Sequence, residues 1–242
     1  MQKMETINKI GELIPKVVLS QPESNQLVST KYHIKGHPIE WKDIETERFW
    51  KIKLIESMQD IEPLFVVDDR NRVLLSALYD WVWNKAGLFH PSKGLLFWGP
   101  IGVGKSALLK GLQRYYGKIN QYCYGFDKNN IGFKLTSAAE IALIYAEKGM
   151  NGIAQYTDRS CMCHLAIDEL GREPMDAKHY GTGINVVQTI LQLRYEVRRE
   201  FITLATTNLN PDTEFEGIYG DYIADRVKEM FNVIEIKGKS RR

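Results

Sequence analysis

Cysteine is scarce in this chain: three in 242 residues, too few for a disulfide framework. Neither sign of charge is in surplus, since thirty-two Lys and Arg stand against thirty Asp and Glu, so total charge singles out no class of partner. No apolar run approaches the ~18 residues of a membrane span. Internal repeats and low-complexity tracts are lacking too, which excludes a solenoid or a disordered array. The opening Met1-Gln2-Lys3-Met4-Glu5-Thr6 has no apolar core of a secretory signal, so a reducing cytoplasm is the expected compartment. What remains is a 44% hydrophobic chain, able to bury one sizeable α/β core with a small appendage.

Cys161-Met162-Cys163-His164 has the look of a metal motif, but only Cys123 stands elsewhere and no second pair completes a zinc site. Cys163 enters an apolar run and is expected to be a small buried hydrophobe.

Residues 1–38 mix polar residues with Pro15, Pro22, Gly36 and Pro38 and show no sustained period, as an extended lead would. A helix is expected from Asp43 to Gln59, with Phe49, Trp50, Ile52 and Ile55 apolar among charges, to dock on its own core or on a partner. A second is expected from Asp68 to Trp83, where Val73, Leu74, Ala77, Leu78 and Trp81 share one face. Strands are read at Leu95–Trp98, Ile131–Leu135, Cys163–Ile167, Phe201–Thr206 and Val233–Ile236. Helices fall between them: one capped by Ser137-Ala138-Ala139-Glu140 and running to Lys148, one over Asn185–Arg199, one over Tyr222–Met230. Alternating strands and helices predict a three-layer αβα fold around a mostly parallel five-stranded sheet.

One run carries the chemistry. Gly99-Pro100-Ile101-Gly102-Val103-Gly104-Lys105-Ser106 fits G-x-x-x-x-G-K-[ST], between the apolar strand and a helix that continues through Ala107. Glycines let the backbone curl so that N–H groups point at a phosphate, and the helix start favours an anion. Lys105 is placed for the β- and γ-phosphates of a nucleoside triphosphate, and the Ser106 hydroxyl for Mg²⁺. Downstream, Leu165-Ala166-Ile167-Asp168-Glu169 is an apolar strand ending in two acids. Asp168 is the candidate for the Mg²⁺ shell, as in a Walker-B strand, and Glu169 the candidate base that polarises a water for in-line attack. Thr206-Thr207-Asn208 ends the next strand, and Asn208 is placed to orient that water or touch the γ-phosphate.

These residues, with Gln192-Leu193-Arg194-Tyr195-Glu196, Ala224-Asp225-Arg226-Val227-Lys228-Glu229 and the closing Gly238-Lys239-Ser240-Arg241-Arg242, make the chain resemble AAA+ ATPases of the group that holds DnaC-like helicase loaders and IstB-like transposition helpers. The resemblance covers residues 65–242. It implies that Asn208 is the sensor-1 residue, that Arg226 is an arginine finger inserted into a neighbour's ATP site, and that Arg242 is the sensor-2 candidate. The alternative for Arg226 is a surface arginine paired with Glu229. Only sixteen residues follow Arg226, too few for a separate helical lid, a domain this group also lacks.

The implied activity is ATP hydrolysis with ATP and Mg²⁺, in subunits that assemble on ATP or DNA and act on a DNA-bound helicase or transposase. Residues 1–60 are then a lead with a partner-docking role, Trp41, Phe49 and Trp50 forming part of the surface, and 61–242 the ATPase domain. Lys228, Lys237, Lys239, Arg241 and Arg242, with Arg194, Arg198 and Arg199, are candidate DNA contacts. The competing readings are a P-loop kinase of a small acceptor and an ATP-gated DNA-binding module with little turnover.

Overall fold

The computed structural model describes residues 44–124 and 131–238. Its elements, in chain order, are α1 (Ile44–Ile61), α2 (Arg72–Val82), β1 (Gly94–Trp98), α3 (Lys105–Ile119) with a π-turn to Tyr124, β2 (Lys134–Ser137), α4 (Ala138–Thr157), β3 (Leu165–Leu170), β4 (Ala177–His179), β5 (Thr182–Ile184), α5 (Val186–Glu196), β6 (Thr203–Thr207), α6 (Phe215–Met230) and β7 (Phe231–Glu235). Among the described residues no helix is long and apolar enough to cross a membrane.

The five expected strands form one sheet, parallel throughout, in the order β2-β3-β6-β1-β7. Both of its faces are covered, which is why its strands read as near-continuous apolar runs. Alternation within each run deals side chains to opposite faces. Leu95, Phe97, Ala166 and Leu204 join Trp50, Leu54, Trp81, Leu109 and Leu112 from α1, α2 and α3. Leu96, Leu165, Ile167 and Ala205 join Ile141, Tyr145, Ile190, Tyr219 and Val227 from α4, α5 and α6. The αβα layering is therefore as the sequence predicts.

Helix α1 packs on this core. Trp50 is buried, with ring centroids 5.2 Å from Trp83 and 6.2 Å from Tyr115. The Tyr115 hydroxyl donates to the Trp50 carbonyl (3.0 Å) and accepts from Trp83 Nε1 (2.8 Å). Met58 crosses α3 at Gly111, where an added Cβ would lie 2.2 Å from the methionine sulfur. Trp50 is thus a core residue and not part of a partner surface; Phe49 is 39% exposed, and Trp41 lies outside the described residues. A domain boundary at residue 60 would sever a helix from its own core, so the folded unit begins no later than α1.

Some expectations shift. Ser137 caps α4 by accepting from Glu140 N (3.1 Å), but the Glu140 carboxylate accepts from Thr136 Oγ1 (2.7 Å) instead of closing the box. Helix α4 runs on to Thr157 through a kink at Gly149. β3 begins at Leu165, two residues later than expected, which leaves Cys163 exposed ahead of the strand and not buried. The antiparallel β4–β5 hairpin is additional.

Candidate nucleotide site

The carboxyl ends of β1, β6 and β3 lie side by side, so the three polar motifs meet at one edge of the sheet. From Trp98 the chain turns through 99–104 and enters α3 at Lys105. Gly104 caps that helix at φ 101°, and a Cβ added there would meet nothing within 4 Å, so its left-handed backbone and not crowding selects glycine.

Lys105 is buried, and its Nζ donates to Gly99 O (2.7 Å), Pro100 O (2.7 Å) and Asn208 Oδ1 (2.8 Å). All three ammonium protons are therefore used. Burial pushes the Lys105 amine below its ordinary value, and the Asp168 and Glu169 carboxylates only partly offset this. Ser106 Oγ donates to Asp168 Oδ1 (2.8 Å). The same carboxylate oxygen accepts from Thr206 Oγ1 (2.5 Å), whose oxygen in turn accepts from Glu169 N (2.8 Å).

The β3–β6 ladder breaks register between Ile167 and Leu170, and Glu169 occupies the left-handed region at φ 61°. A bulge re-aims side chains, and here it turns Glu169 outward while Asp168 stays against Ser106. Beyond the break, Thr207 Oγ1 donates to Leu170 O (2.9 Å) and rejoins the two strands.

A cleft of about 1230 Å³ opens over these groups. Its polar floor holds Lys105, Ser106, Glu169, Thr206 and Asn208; Arg172, 4.0 Å from Glu169 Oε1, stands at the rim. Its far wall is apolar: Leu64 is 85% exposed and Val73 67%, and both face the cleft with Leu88 and Ile101. Val73, expected on the buried face of α2, is thus a cleft residue. A polar floor grading into an apolar wall suits a ligand with a phosphate end and a planar end. Ser106 and Asp168, with the Thr206 hydroxyl beside them, form an all-oxygen donor set that fits Mg²⁺.

The structure brings Lys105 and Ser106 at the start of α3, Asp168 and Glu169 in β3, and Asn208 just after β6 together, beside the loop of Gly99, Pro100, Ile101, Gly102, Val103 and Gly104. Thr206, named in its motif without a role, and Arg172 join them. Thr206 had a signal, since a hydroxyl at the last inward position of an apolar strand needs a polar partner.

Arg226 does not line this cleft. Its guanidinium stacks 3.8 Å from the Tyr222 ring centroid, and Nη1 donates to Tyr222 O and Asp225 Oδ2 (both 3.3 Å). The pairing with Glu229 is not formed: that carboxylate accepts from Tyr195 OH (2.8 Å) and Arg198 Nη2 (3.2 Å). Arg242 lies outside the described residues, as do Lys239 and Arg241.

Arg194 is not a surface contact. It is fully buried at the amino ends of β3 and β6, opposite the cleft. Nε donates to Thr203 Oγ1 (2.7 Å), Nη1 to Tyr156 O (3.2 Å), and Nη2 to Cys163 O (2.9 Å) and Ile202 O (3.3 Å). Burial with no carboxylate partner among these contacts lowers its pKa to about 10. Lys228 pairs with Asp212 (2.7 Å) and Lys237 with Glu235 (3.2 Å), so part of the expected basic face is neutralised locally; Arg199 is exposed.

No protein-family profile and no curated protein sequence matches the chain. Among solved structures it is similar to the DnaC helicase loader, at 21% identity and a TM-score of 0.48 over 73% of this chain and 96% of that one. It is similar to DnaI at 22% identity and a TM-score of 0.48, over 77% and 93% of the two chains. AMPPCP-bound DnaA from Aquifex aeolicus aligns at 16% identity and a TM-score of 0.45 over 72% of this chain. The chain spans about half of that DnaA chain, 48% of its length.

Proposed function

We propose that this protein is an ATP-hydrolysing AAA+ protein of the helicase-loader and transposition-helper group, which assembles on ATP and acts on a DNA-bound helicase or transposase. The observation that carries the ATPase reading is the chain of contacts Asn208–Lys105 and Ser106–Asp168–Thr206–Glu169 in one cleft. It joins a phosphate-binding cation, a metal-binding pair and an outward carboxylate, the three parts that phosphoryl transfer to water requires.

In this reading Lys105 exchanges its bonds to Gly99 O, Pro100 O and Asn208 for β- and γ-phosphate oxygens, keeping each proton partnered. Ser106 and Asp168 would hold Mg²⁺, which would supply neutralisation of charge on the phosphate oxygens. Asn208, released by Lys105, orients the attacking water. Glu169 takes its proton, with the left-handed backbone presenting the carboxylate away from Asp168. The apolar wall from Leu64 to Ile101 receives the base. Arg226, outside its own cleft, serves a neighbouring subunit, so turnover depends on assembly. The group's assignment and its DNA-bound client rest on the motifs from Gly99 to Glu229.

Phosphate release from MgATP without an acceptor is the test. Glu169→Gln is expected to bind ATP, to lower turnover by about 10²-fold or more, and to accumulate the assembled form. Normal turnover in that variant would show that another residue is the base. Release only on addition of a small acceptor would make the protein a kinase.

A further inference from the structure

A buried carboxylate behind the catalytic turn has no part in the chemistry above. Glu173 is 6% exposed and does not line the cleft. Its Oε2 accepts from Gly171 N (2.8 Å), inside the turn that follows Glu169, and its Oε1 accepts from Tyr219 OH (2.6 Å). Tyr219 is fully buried in the first turns of α6, against the face of the sheet opposite α3. Burial first, then the neighbouring Glu173, push the Tyr219 hydroxyl well above its ordinary value, so it remains the donor. Pro174 follows Glu173 and biases it away from helical backbone, which ends the turn at that residue.

Burying a carboxylate is costly unless its oxygens are satisfied, and a structural carboxylate need not lie four residues from a catalytic one. Here the location explains it. Glu169 is held at φ 61°, a left-handed conformation that strains a non-glycine residue and persists only where its surroundings impose it. Thr206 Oγ1 fixes the amino side of Glu169. On the carboxyl side Arg172 N donates to Glu169 O (3.2 Å), Leu170 O is held to β6 by Thr207 Oγ1 (2.9 Å), and Gly171 N donates to Glu173. The relay from Gly171 through Glu173 to Tyr219 is what ties this turn to α6.

Resting on the ATPase reading, we infer that Glu173 is a positioning residue for Glu169, locking the 169–173 turn to α6 through Tyr219 so that the carboxylate keeps its outward geometry for water activation. Glu173 lies outside the cleft lining. Its loss leaves Lys105, Ser106 and Asp168 in place, so binding survives while turnover falls.

The test is steady-state phosphate release from MgATP by the full chain, with kcat and KM separated, alongside nucleotide affinity by calorimetry. Glu173→Ala is expected to lower kcat at least tenfold with KM and affinity within about twofold. Glu173→Gln, which keeps one acceptor oxygen, recovers part of that loss; Tyr219→Phe, which deletes only the hydroxyl, lowers kcat severalfold. A purely structural role would instead lower kcat and affinity together, or leave both unchanged below the melting temperature. Should Glu173→Ala fail to fold, Tyr219→Phe decides, and full kcat in it overturns the inference. Glu169→Gln measured in parallel separates the two claims. If it turns over normally, the ATPase mechanism falls; if it is dead while the Glu173 and Tyr219 variants are normal, only the positioning role falls.

Discussion

Replacing Arg194 by methionine tests whether a residue in a basic-looking helix is a fastener of the fold. Methionine keeps the length of the stem but removes every donor. Tyr156 O, Cys163 O, Ile202 O and Thr203 Oγ1 then lose the guanidinium that serves them. Each orphaned buried acceptor costs about 1–3 kcal/mol. Against this stands relief from burying a charge, whose cost shows in the fall of the Arg194 pKa from its ordinary value to about 10. That fall corresponds to roughly 3 kcal/mol. Water can reach some acceptors once the guanidinium is gone, so the net loss should be about 3–5 kcal/mol, inside the roughly 1–9 kcal/mol left when the relieved charge is set against four orphaned acceptors. For a domain of this size that is a fall in Tm of roughly 6–20 °C. Thermal and urea denaturation of the nucleotide-free chain measure it. Arg194→Lys, able to serve two or three acceptors but not the planar fan, should fall between. Any DNA affinity measured for the parent should persist in Arg194→Met below its transition, because the side chain is fully buried. A Tm within about 2 °C of the parent, or a selective loss of DNA binding at unchanged stability, would refute the reasoning.

Lys105→Ala should weaken ATP by about 2–4 kcal/mol, roughly 30- to 1000-fold in calorimetry; unchanged affinity would remove the central claim. The Lys105 amine lies below 10.5 in the free chain, and a bound polyphosphate favours its charged form. Affinity should therefore be flat at neutral pH and decline as pH rises through that lowered value, with protons taken up on binding in the window below 10.5; a pH-independent affinity across it contradicts this. Arg226→Ala should bind ATP yet hydrolyse it at least about tenfold more slowly, and mixing it with Lys105→Ala protein should restore turnover at mixed sites; a dead mixture that co-assembles ends the in-trans reading. Gly111→Ala should lose about 1–3 kcal/mol by crowding Met58, and Met58→Ala in the same chain should return part of it; simple additivity in denaturation would show that the two do not collide.

Why some of this was legible in the sequence and some was not follows from where each cause lies. The phosphate loop, the acid-tipped β3 and the Thr-Thr-Asn end of β6 are local: each motif sits on a strand whose apolar run announces burial on both faces. Once the strands are parallel, their carboxyl ends must share an edge, and Lys105, Asp168 and Asn208 converge. β4 and β5 have three residues each, too short to show a period. Arg194 is buried by carbonyls of α4 and of the residues leading into β3 and β6, a circumstance no neighbour in sequence records. Trp50 was ambiguous because an amphipathic helix states that one face is covered, not by what. Glu173 looked like any loop acid, since its meaning depends on a tyrosine forty-six residues away.

The packing of α1 also decides how the chain can be cut. A truncation at residue 60, the obvious way to ask whether the leading segment recruits a client, would remove Trp50, Leu54 and Met58 from a hydrophobic layer shared with α2 and α3. Their burial is worth roughly 5–9 kcal/mol, comparable to the 5–15 kcal/mol that holds a typical domain together. Any binding such a fragment lost would reflect a broken core and not a missing recruitment arm. A deletion that ends before residue 44 keeps α1 and its packing against α2 and α3.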